Sequence, residues 1–526
     1  MRVQENAMEQ PIEVALTANK DSKSWTQRLD LAILGISLSL LLSFFLWGQF
    51  SGESMGSVMK STLQVLTHQF GWLYLLFGLF LVFFSLWMAL GPYAHVKLGA
   101  DDSKPEFSNF SWFCMLFACG YGVGLVFWGA AEPLYFLSSP PLHLDANSRS
   151  AAEIGLAWSF FHWGWTPWAM YLCLTIPVGY FAYRRNMPLR FSSALKPVLK
   201  EGTSGLPGRV VDAVLIFALV LGVTTSIGLG VKQFASGLSS QFGFPEGTFV
   251  YVAIGVVWCF IFGISAISGI DKGIKLLSGI NIPLAMGLMI FVFIVGPSTF
   301  ILDITCSAFG DYVDNFFKMS TWTDAVDQGG FPQGWTIFYW AWWFACAPTM
   351  AIFTSRISKG RTIKEIVIAH MMLAPIATWL WFGTFGGTAL WMELKGKLGL
   401  VAQMKENGSG SVIYTLLENL PLSGLTSCLF MILIVVFLAT SADSISYICS
   451  QLCTKKEADT DNPPKPIRAL WAVVLGGGAM TLVIFGEGIS GLQLSSVIAS
   501  IVVVFMTMIA IYAMLKDMKE KETRRG

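Results

Sequence analysis

Charged residues are scarce in this chain. Lysine, arginine, aspartate and glutamate together make up 13% of the 526 residues, whereas 54% of the residues are hydrophobic. A soluble globular protein has about a quarter charged residues, so this composition excludes that class. The sequence therefore predicts a protein that crosses the membrane many times.

Histidine, a common catalytic and metal-binding residue, is also rare. The five histidines are dispersed, at positions 68, 95, 143, 162 and 370. No nucleophile–base pair or metal-ligand motif accompanies them, which disfavours a membrane-embedded enzyme. The G-x-x-x-x-G-K-[ST] loop of primary pumps is missing as well. A channel remains an alternative, which flux that does not saturate with substrate would distinguish.

Two features of secreted proteins are missing. Nine cysteines are scattered, mostly inside apolar runs. Their odd number argues against a disulfide framework and predicts that they pack as small hydrophobic residues. About thirty polar residues precede the first apolar run, and no small-residue cleavage site follows it closely, so we expect the first span to be retained.

Long apolar runs are abundant, and twelve of them can cross about 30 Å of hydrocarbon. They predict spans near residues 30–50, 71–94, 111–131, 153–183, 208–232, 247–267, 275–301, 333–354, 365–391, 425–447, 466–486 and 490–515. Residues 1–29 and the short tail 516–526 are predicted to be cytoplasmic, because most lysines and arginines then lie inside. Charges mixed with aromatic residues over 303–328 predict an amphipathic surface helix.

Two segments are unusually aromatic. Four tryptophans and a tyrosine lie within nine residues of Gly334–Trp343, more than the one or two aromatic anchors common at a span end. A second cluster, His162–Tyr171, lies in the fourth span. An aromatic box suits a quaternary ammonium group, which is attracted to the negative faces of indole rings. The alternative is bulky packing between helices, and His162 is expected to be a hydrogen-bonded packing residue.

The third span contains Gly120, Gly122 and Gly124 within five residues. Each glycine costs about 1 kcal/mol in a helix interior, so the three together predict local unwinding. Unwinding frees carbonyls for a cation and amides for a carboxylate, which is tolerated at membrane depth where the backbone lines a cavity. Close helix packing by small residues is the alternative.

The tenth span places Thr440 and Ser441 beside Asp443. Hydroxyl and carboxylate oxygens are hard ligands, the kind that a small cation such as sodium prefers. Asp443 is alternatively a structural hydrogen-bond acceptor. Interruptions in the third and eighth spans are a weak pointer to a transporter with inverted repeats and a site at the midplane.

Taken in order, four motifs resemble the betaine/carnitine/choline transporter family. They are Gly120–Pro133, Gly334–Trp343, Ile357–Thr362 and Thr440–Ser444, and the resemblance covers nearly the whole chain. It implies an all-α membrane protein with twelve transmembrane helices of the LeuT type. In that fold two inverted repeats of five helices, about 111–301 and 333–515, follow two N-terminal helices. Homotrimeric assembly and alternating access are implied as well.

The resemblance also implies which residues form the sites. The substrate residues would be Trp163, Trp168, Tyr171, Trp342, Trp343, Gly120, Gly122, Gly124 and Met350. Sodium, the coupling ion and the only cofactor expected, would be bound by the carbonyls of Ala118, Tyr121 and Phe437 and the hydroxyls of Thr440 and Ser441. The expected partners are the small substrate, membrane lipid and further copies of the chain, with no nucleic acid.

Several positions depart from the family pattern. Cys346 stands where betaine carriers often have another tryptophan, which implies a looser box, and Met350 resembles the carnitine/butyrobetaine exchangers. Leu219 and Val223 replace the threonines that a second sodium site would want. Asn281 stands where sodium-independent exchangers have an arginine.

The sequence thus predicts a bacterial inner-membrane transporter that takes up a zwitterionic quaternary ammonium compound, of glycine betaine or carnitine type, with sodium. The rival interpretation is a sodium-independent exchanger of carnitine and γ-butyrobetaine. Choline is expected to be a poor substrate, because the glycine stretch carries no acidic side chain for a bare cation.

Overall fold

The computed structural model describes residues 24–268, 273–396, 398–455, 463–485 and 489–522, and within them almost all regular structure is helical. The predicted N-terminal segment therefore lies largely outside the described residues. All nine cysteines are free, as predicted. The main helices are α1 (Leu31–Phe50), α2 (Gly52–Gln64), α3 (Gly71–Leu90), α4 (Asn109–Ser138), α5 (Arg149–His162), α6 (Trp165–Gly179), α7 (Leu206–Phe242), α8 (Thr248–Ser268), α9 (Gly273–Val295), α10 (Ser298–Asp314), α11 (Ile337–Ile357), α12 (Ile363–Leu394), α13 (Ser423–Leu452), α14 (Lys465–Phe485) and α15 (Ile489–Lys521).

The predicted count of twelve spans is not confirmed. By length and apolar composition, the described residues contain nine helices that can cross a membrane, or up to eleven if two bent pairs each count as one span. The predicted fourth span, 153–183, is not among them. At Gly164 the backbone leaves the helical region, with φ −102° and ψ −134°, and this divides the predicted span into α5 and α6. The π-helix Tyr180–Arg184 continues α6 directly.

The predicted unwinding of the third span is confirmed. The backbone of Gly122 has φ 48° and ψ −151° inside α4, and the two halves of the helix differ in direction by 68°. A positive φ is strained for residues with a Cβ atom, so this position favours glycine. The break allows the first half of α4 to leave the line of the second half.

The predicted interruption of the eighth span is wrong. Helix α11 continues through Pro348 to Ile357. It packs against α6, α7 and α15, and almost every residue between Ile337 and Ile357 is buried. Proline normally weakens a helix because it lacks an N–H donor. Here the neighbouring helices hold both halves of α11 in line.

The predicted amphipathic helix begins earlier than expected. Helix α10 starts at Ser298, directly after a bend of 110° from α9. Pro297 precedes it and cannot donate the backbone hydrogen bond that would continue α9. Ile301, Ile304, Ala308 and Tyr312 of α10 are buried. Their spacing places them on one face of the helix, so the amphipathic character is confirmed.

The first residues of the predicted tail, 516–526, continue α15. This helix continues to Lys521. Asp517 accepts a hydrogen bond from Arg185, and the carboxylate of Glu522 pairs with both Arg184 and Arg185 at 2.9 Å. The hydrogen bond with Glu522 raises the pKa of Arg184 above its ordinary value. These ion pairs attach the end of α15 to the segment that follows α6.

Arg361, in the loop predicted between the eighth and ninth spans, is also buried. Arg361 is 1% exposed, and its guanidinium lies 3.9 Å from the ring centroid of Trp112 at the start of α4. It donates to Oδ1 of Asn109 and to the carbonyl of Phe107, both at 2.9 Å. Arg361 therefore joins the beginning of α4 to the connection between α11 and α12.

Candidate aromatic binding site

A small cavity lies where α4, α6, α7, α11 and α13 meet. Eight of the predicted site residues line it: Gly120, Gly122, Trp163, Tyr171, Trp342, Trp343, Met350 and Ser441. Its volume of about 60 Å³ is less than half of the roughly 150 Å³ cavity that holds benzene. Binding of a whole quaternary ammonium compound therefore requires the side chains around the cavity to move.

Aromatic rings from two parts of the chain form the walls. Trp163 meets Trp343 with ring centroids 5.4 Å apart and Trp342 with centroids 6.2 Å apart, both nearly perpendicular. The ring of Tyr171 lies 4.8 Å from that of Trp343, and Trp168 packs behind Tyr171 at 5.7 Å. The two aromatic clusters of the sequence therefore form one wall system, as a box for a cation requires.

Glycines allow the rings to approach the backbone of α4. A Cβ atom at Gly120 would lie 2.5 Å from Cη2 of Trp168, and one at Gly124 would lie 2.8 Å from Cη2 of Trp342. Neither Trp168 nor Gly124 lines the cavity, but each fixes the position of a neighbour that does. Close packing and unwinding, the two alternatives for this stretch, are thus both present.

The cavity also contains residues that the sequence did not single out. Thr349 and Ser226 add hydroxyl groups to its lining. Thr349 is 5% exposed, and its Oγ1 has no hydrogen-bond partner among the described residues. A buried hydroxyl normally has a partner, so this group is available to a ligand. Its position next to Met350 in the aromatic helix α11 was the sequence signal that could have identified it.

The residues predicted to bind sodium are placed less uniformly. Ser441 lines the cavity, and its Oγ lies 3.4 Å from the position of a Cβ atom at Gly122. Oγ1 of Thr440 donates to the carbonyl of Val436 at 2.8 Å. Phe437 and Ala118 are buried. Tyr121 belongs to α4, and its side chain lies outside the described residues.

Two polar residues clarify the surroundings of this region. Oδ2 of Asp443 accepts a hydrogen bond of 2.9 Å from Ser265, which fits the structural role that the sequence left open. Asn281 is fully buried in α9, which packs against α4 and α13. Neither polar atom of its side chain has a hydrogen-bond partner among the described residues.

Glu132 was missed as a site residue, although it lies in one of the recognised motifs. Its fully buried carboxylate accepts from Nε1 of Trp163 at 2.9 Å, and Oε1 lies 3.0 Å from Nδ1 of His162. His162 is therefore the hydrogen-bonded packing residue that was predicted. An ionisable residue inside a membrane span is a functional candidate by default, but the predicted third span ended at residue 131, one residue before Glu132.

A different histidine has acidic neighbours that the sequence did not reveal. Nε2 of His143 lies 3.4 Å from Oδ1 of Asp324 and 3.2 Å from Oδ2 of Asp327. His143 and Asp327 are exposed, so their pairing needs no bound ion to explain it. These contacts join the connection before α5 to the segment before α11.

The chain is similar to known proteins over nearly its whole length. The model of the family described as "BCCT, betaine/carnitine/choline family transporter" matches residues 32–523. The glycine betaine transporter OpuD of Bacillus subtilis is 36% identical over 93% of this chain and 95% of its own. A probable glycine betaine transporter of Desulfitobacterium hafniense is 34% identical over 93% of this chain and 97% of its own. The high-affinity choline transport protein of Escherichia coli K12 is 34% identical over 93% of this chain and 72% of its own.

Proposed function

The chain belongs to the betaine/carnitine/choline transporter family, and on that premise we propose that it takes up a zwitterionic quaternary ammonium compound together with sodium. Glycine betaine and carnitine are the proposed substrates. The observation that carries the proposal is the aromatic cavity at the break of α4. A quaternary ammonium group cannot donate hydrogen bonds, so ring faces are its natural contacts.

The polar groups of the cavity support a zwitterion over a bare cation. No acidic residue is among the described residues that line it, whereas Thr349 offers an unpartnered hydroxyl. A carboxylate accepts hydrogen bonds and does not donate them when ionised, so this hydroxyl suits it. Two of the three relatives named above are glycine betaine transporters and one is a choline transporter. The lining favours the former.

Sodium coupling at one site is supported by the cavity lining that includes Ser441, in which the described residues carry no charge. The proposed ligands are the carbonyls of Ala118, Tyr121 and Phe437 with the hydroxyls of Thr440 and Ser441. Thr440 donates its proton to a carbonyl, which leaves the lone pairs of its oxygen available to a cation. Asn281 is neutral and cannot supply the charge that an arginine would.

Sodium-independent exchange of carnitine and γ-butyrobetaine is the second candidate. One observation favours it: Met350 lines the cavity, and its Cε lies 3.3 Å from the position of a Cβ atom at Gly120. We give Asn281 more weight, because a missing charge is harder to compensate than a thioether is to tolerate.

The remaining features of the proposal concern the whole molecule. We propose two inverted repeats of five helices, about 111–301 and 333–515, with the site between them. We also propose that the protein is a homotrimer in the bacterial inner membrane, with both termini in the cytoplasm. The basic residues Arg184, Arg185 and Arg361 then lie on the cytoplasmic side, in agreement with the positive-inside rule.

Uptake into proteoliposomes tests this proposal. Labelled glycine betaine or carnitine should accumulate when sodium is higher outside, and accumulation should stop when potassium replaces sodium. An exchanger would instead take up label without sodium, provided that the vesicles were preloaded with unlabelled carnitine. That second pattern would reject sodium coupling and establish the alternative, and flux that never saturates would reject both.

A further inference from the structure

A buried carboxylate lies behind the aromatic cavity without lining it. Glu132 belongs to the second half of α4, beyond the break at Gly122, and is fully buried. Its Oε2 accepts hydrogen bonds from Nε1 of Trp163, at 2.9 Å, and from the hydroxyl of Tyr339. Trp163 itself lines the cavity. The carboxylate is therefore one hydrogen bond away from a wall of the site.

His162 holds the other oxygen of the carboxylate. Its Nδ1 lies 3.0 Å from Oε1 of Glu132, and its Nε2 lies 3.0 Å from Oγ1 of Thr336. With the proton on Nδ1, the imidazole donates to the carboxylate and accepts from the threonine hydroxyl. This tautomer is assigned from the hydrogen-bond network. The imidazole also stacks on Tyr339, with ring centroids 4.6 Å apart.

The network joins three parts of the chain that also supply the cavity. Glu132 comes from α4, His162 and Trp163 from the break between α5 and α6, and Tyr339 from α11. Trp163, His162 and Tyr339 all present a donor to one carboxylate. Three donors around a buried acid satisfy its ionised form, because an ionised carboxylate accepts only.

We propose that Glu132 is a positioning residue that makes the cavity selective for a cation over a neutral group of the same shape. Its hydrogen bond fixes the plane of the Trp163 indole. Because the indole N–H donates to an anion, electron density shifts toward the ring, and the ring face attracts a cation more strongly. The inference rests on the proposed function, since it presupposes that the cavity receives a quaternary ammonium group.

Two ligands of equal shape separate this role from a merely structural one. Glycine betaine carries a trimethylammonium group, and 3,3-dimethylbutanoate carries a neutral tert-butyl group in its place. The dissociation constants of both are measured for the purified wild-type protein and for Glu132→Gln. Glutamine keeps an acceptor oxygen, and His162 can reverse its tautomer to accept from the new amide. We expect betaine affinity to fall about tenfold, whereas affinity for the neutral compound changes less than about twofold.

A matched control removes a buried carboxylate elsewhere. Asp212 is fully buried in α7 and accepts hydrogen bonds from Ser192 at 2.9 Å and 2.8 Å. In Asp212→Asn, the ratio of the two dissociation constants should equal that of the wild type. Glu132→Asp keeps the charge on a shorter side chain, so it should weaken both ligands and leave their ratio within about twofold of the wild type.

The outcomes are distinct. Equal losses for both ligands in Glu132→Gln, or no loss for either, would overturn the inference. If that variant does not fold, Glu132→Asp provides the test. A ratio of the two dissociation constants that moves from its wild-type value toward one in Glu132→Asp would also overturn the inference. Failure of the wild-type protein to bind any quaternary ammonium compound would reject the proposed function, and the inference with it.

Discussion

The aromatic cavity and the proposed sodium site lie side by side but are built in different ways. In the cavity, the rings of Trp163 and Tyr171 both contact the ring of Trp343 across helices, with centroids 5.4 Å and 4.8 Å apart. In the proposed sodium site, Thr440 makes its hydrogen bond within its own helix, and Ser441 faces the cavity beside Gly122. Packing fixes the cavity walls, whereas the proposed cation ligands include backbone carbonyls close to the break of α4.

This difference has a physical consequence for coupling. Ser441 and Gly122 belong to the lining of the cavity and to the motifs predicted to bind sodium. A cation held there would fix the break of α4 relative to α13, and the break carries the glycines against which the aromatic rings pack. Sodium and substrate would then favour the same arrangement of these helices, and the coupling must be reciprocal.

Filling the space beside the rings should have the largest effect. In Gly120→Ala the new methyl group would lie 2.5 Å from the fully buried Trp168. Overpacking of this kind costs about 1–3 kcal/mol, so betaine affinity should fall by about 5- to 150-fold. Equilibrium binding to the purified variant measures this loss. Gly279→Ala in α9, where nothing lies within 4 Å, is the control and should bind as the wild type does.

Removing the free hydroxyl of the cavity sharpens the distinction between zwitterion and cation. Thr349→Val keeps the shape of the side chain but removes the proposed donor to the carboxylate. A hydrogen bond to a charged group contributes about 1.5–3 kcal/mol, so betaine affinity should fall at least about tenfold. Choline has no carboxylate, and its affinity should stay within about twofold. Equal losses for the two compounds in competition assays would remove Thr349 from carboxylate binding.

Removing one π face tests the box itself. Trp343→Leu keeps much of the bulk, and loss of the ring should cost about 1–2 kcal/mol, or roughly 5- to 30-fold in betaine affinity. Phe344→Leu is a matched control, because Phe344 stacks on Phe77 at 5.7 Å and faces away from the cavity. Substrate binding that is unchanged in Trp343→Leu would place this residue outside the site.

The smallest effect is expected when one ligand of the proposed sodium site is removed. Thr440→Ala should lower sodium affinity about three- to tenfold, because one of several proposed oxygen ligands is lost. Betaine affinity at saturating sodium should change little. Thr426→Ala is the control, since Thr426 lies in the same helix and also donates to a carbonyl of its own helix, that of Ser423. A similar sodium dependence in both variants would argue against Thr440 as a ligand.

Local patterns predicted the features that local chemistry determines. The glycines of α4 predicted a break because glycine is unfavourable in a helix interior, and Gly122 adopts the positive φ of the break without strain. Dense aromatic residues in two separate segments predicted one wall system, since few other roles need so many large rings. Both features follow from residue types within a few positions of one another.

Features that depend on tertiary packing were not predictable in the same way. Pro348 suggested a break, but the helices around α11 keep it continuous. The fourth span is divided by the backbone conformation at Gly164. By composition alone, this span resembles an uninterrupted apolar run. The donors around Glu132 come from α11 and the α5–α6 break, so their convergence required the folded arrangement.

Binding of glycine betaine to the purified protein over a sodium titration, with potassium holding the ionic strength constant, tests the coupling of the two regions most directly. We expect the dissociation constant of betaine to fall as sodium rises, and sodium affinity to rise with betaine by the same factor. The dependence should weaken in both Thr440→Ala and Ser441→Ala. Betaine binding that is equally tight in sodium and in potassium would contradict the account.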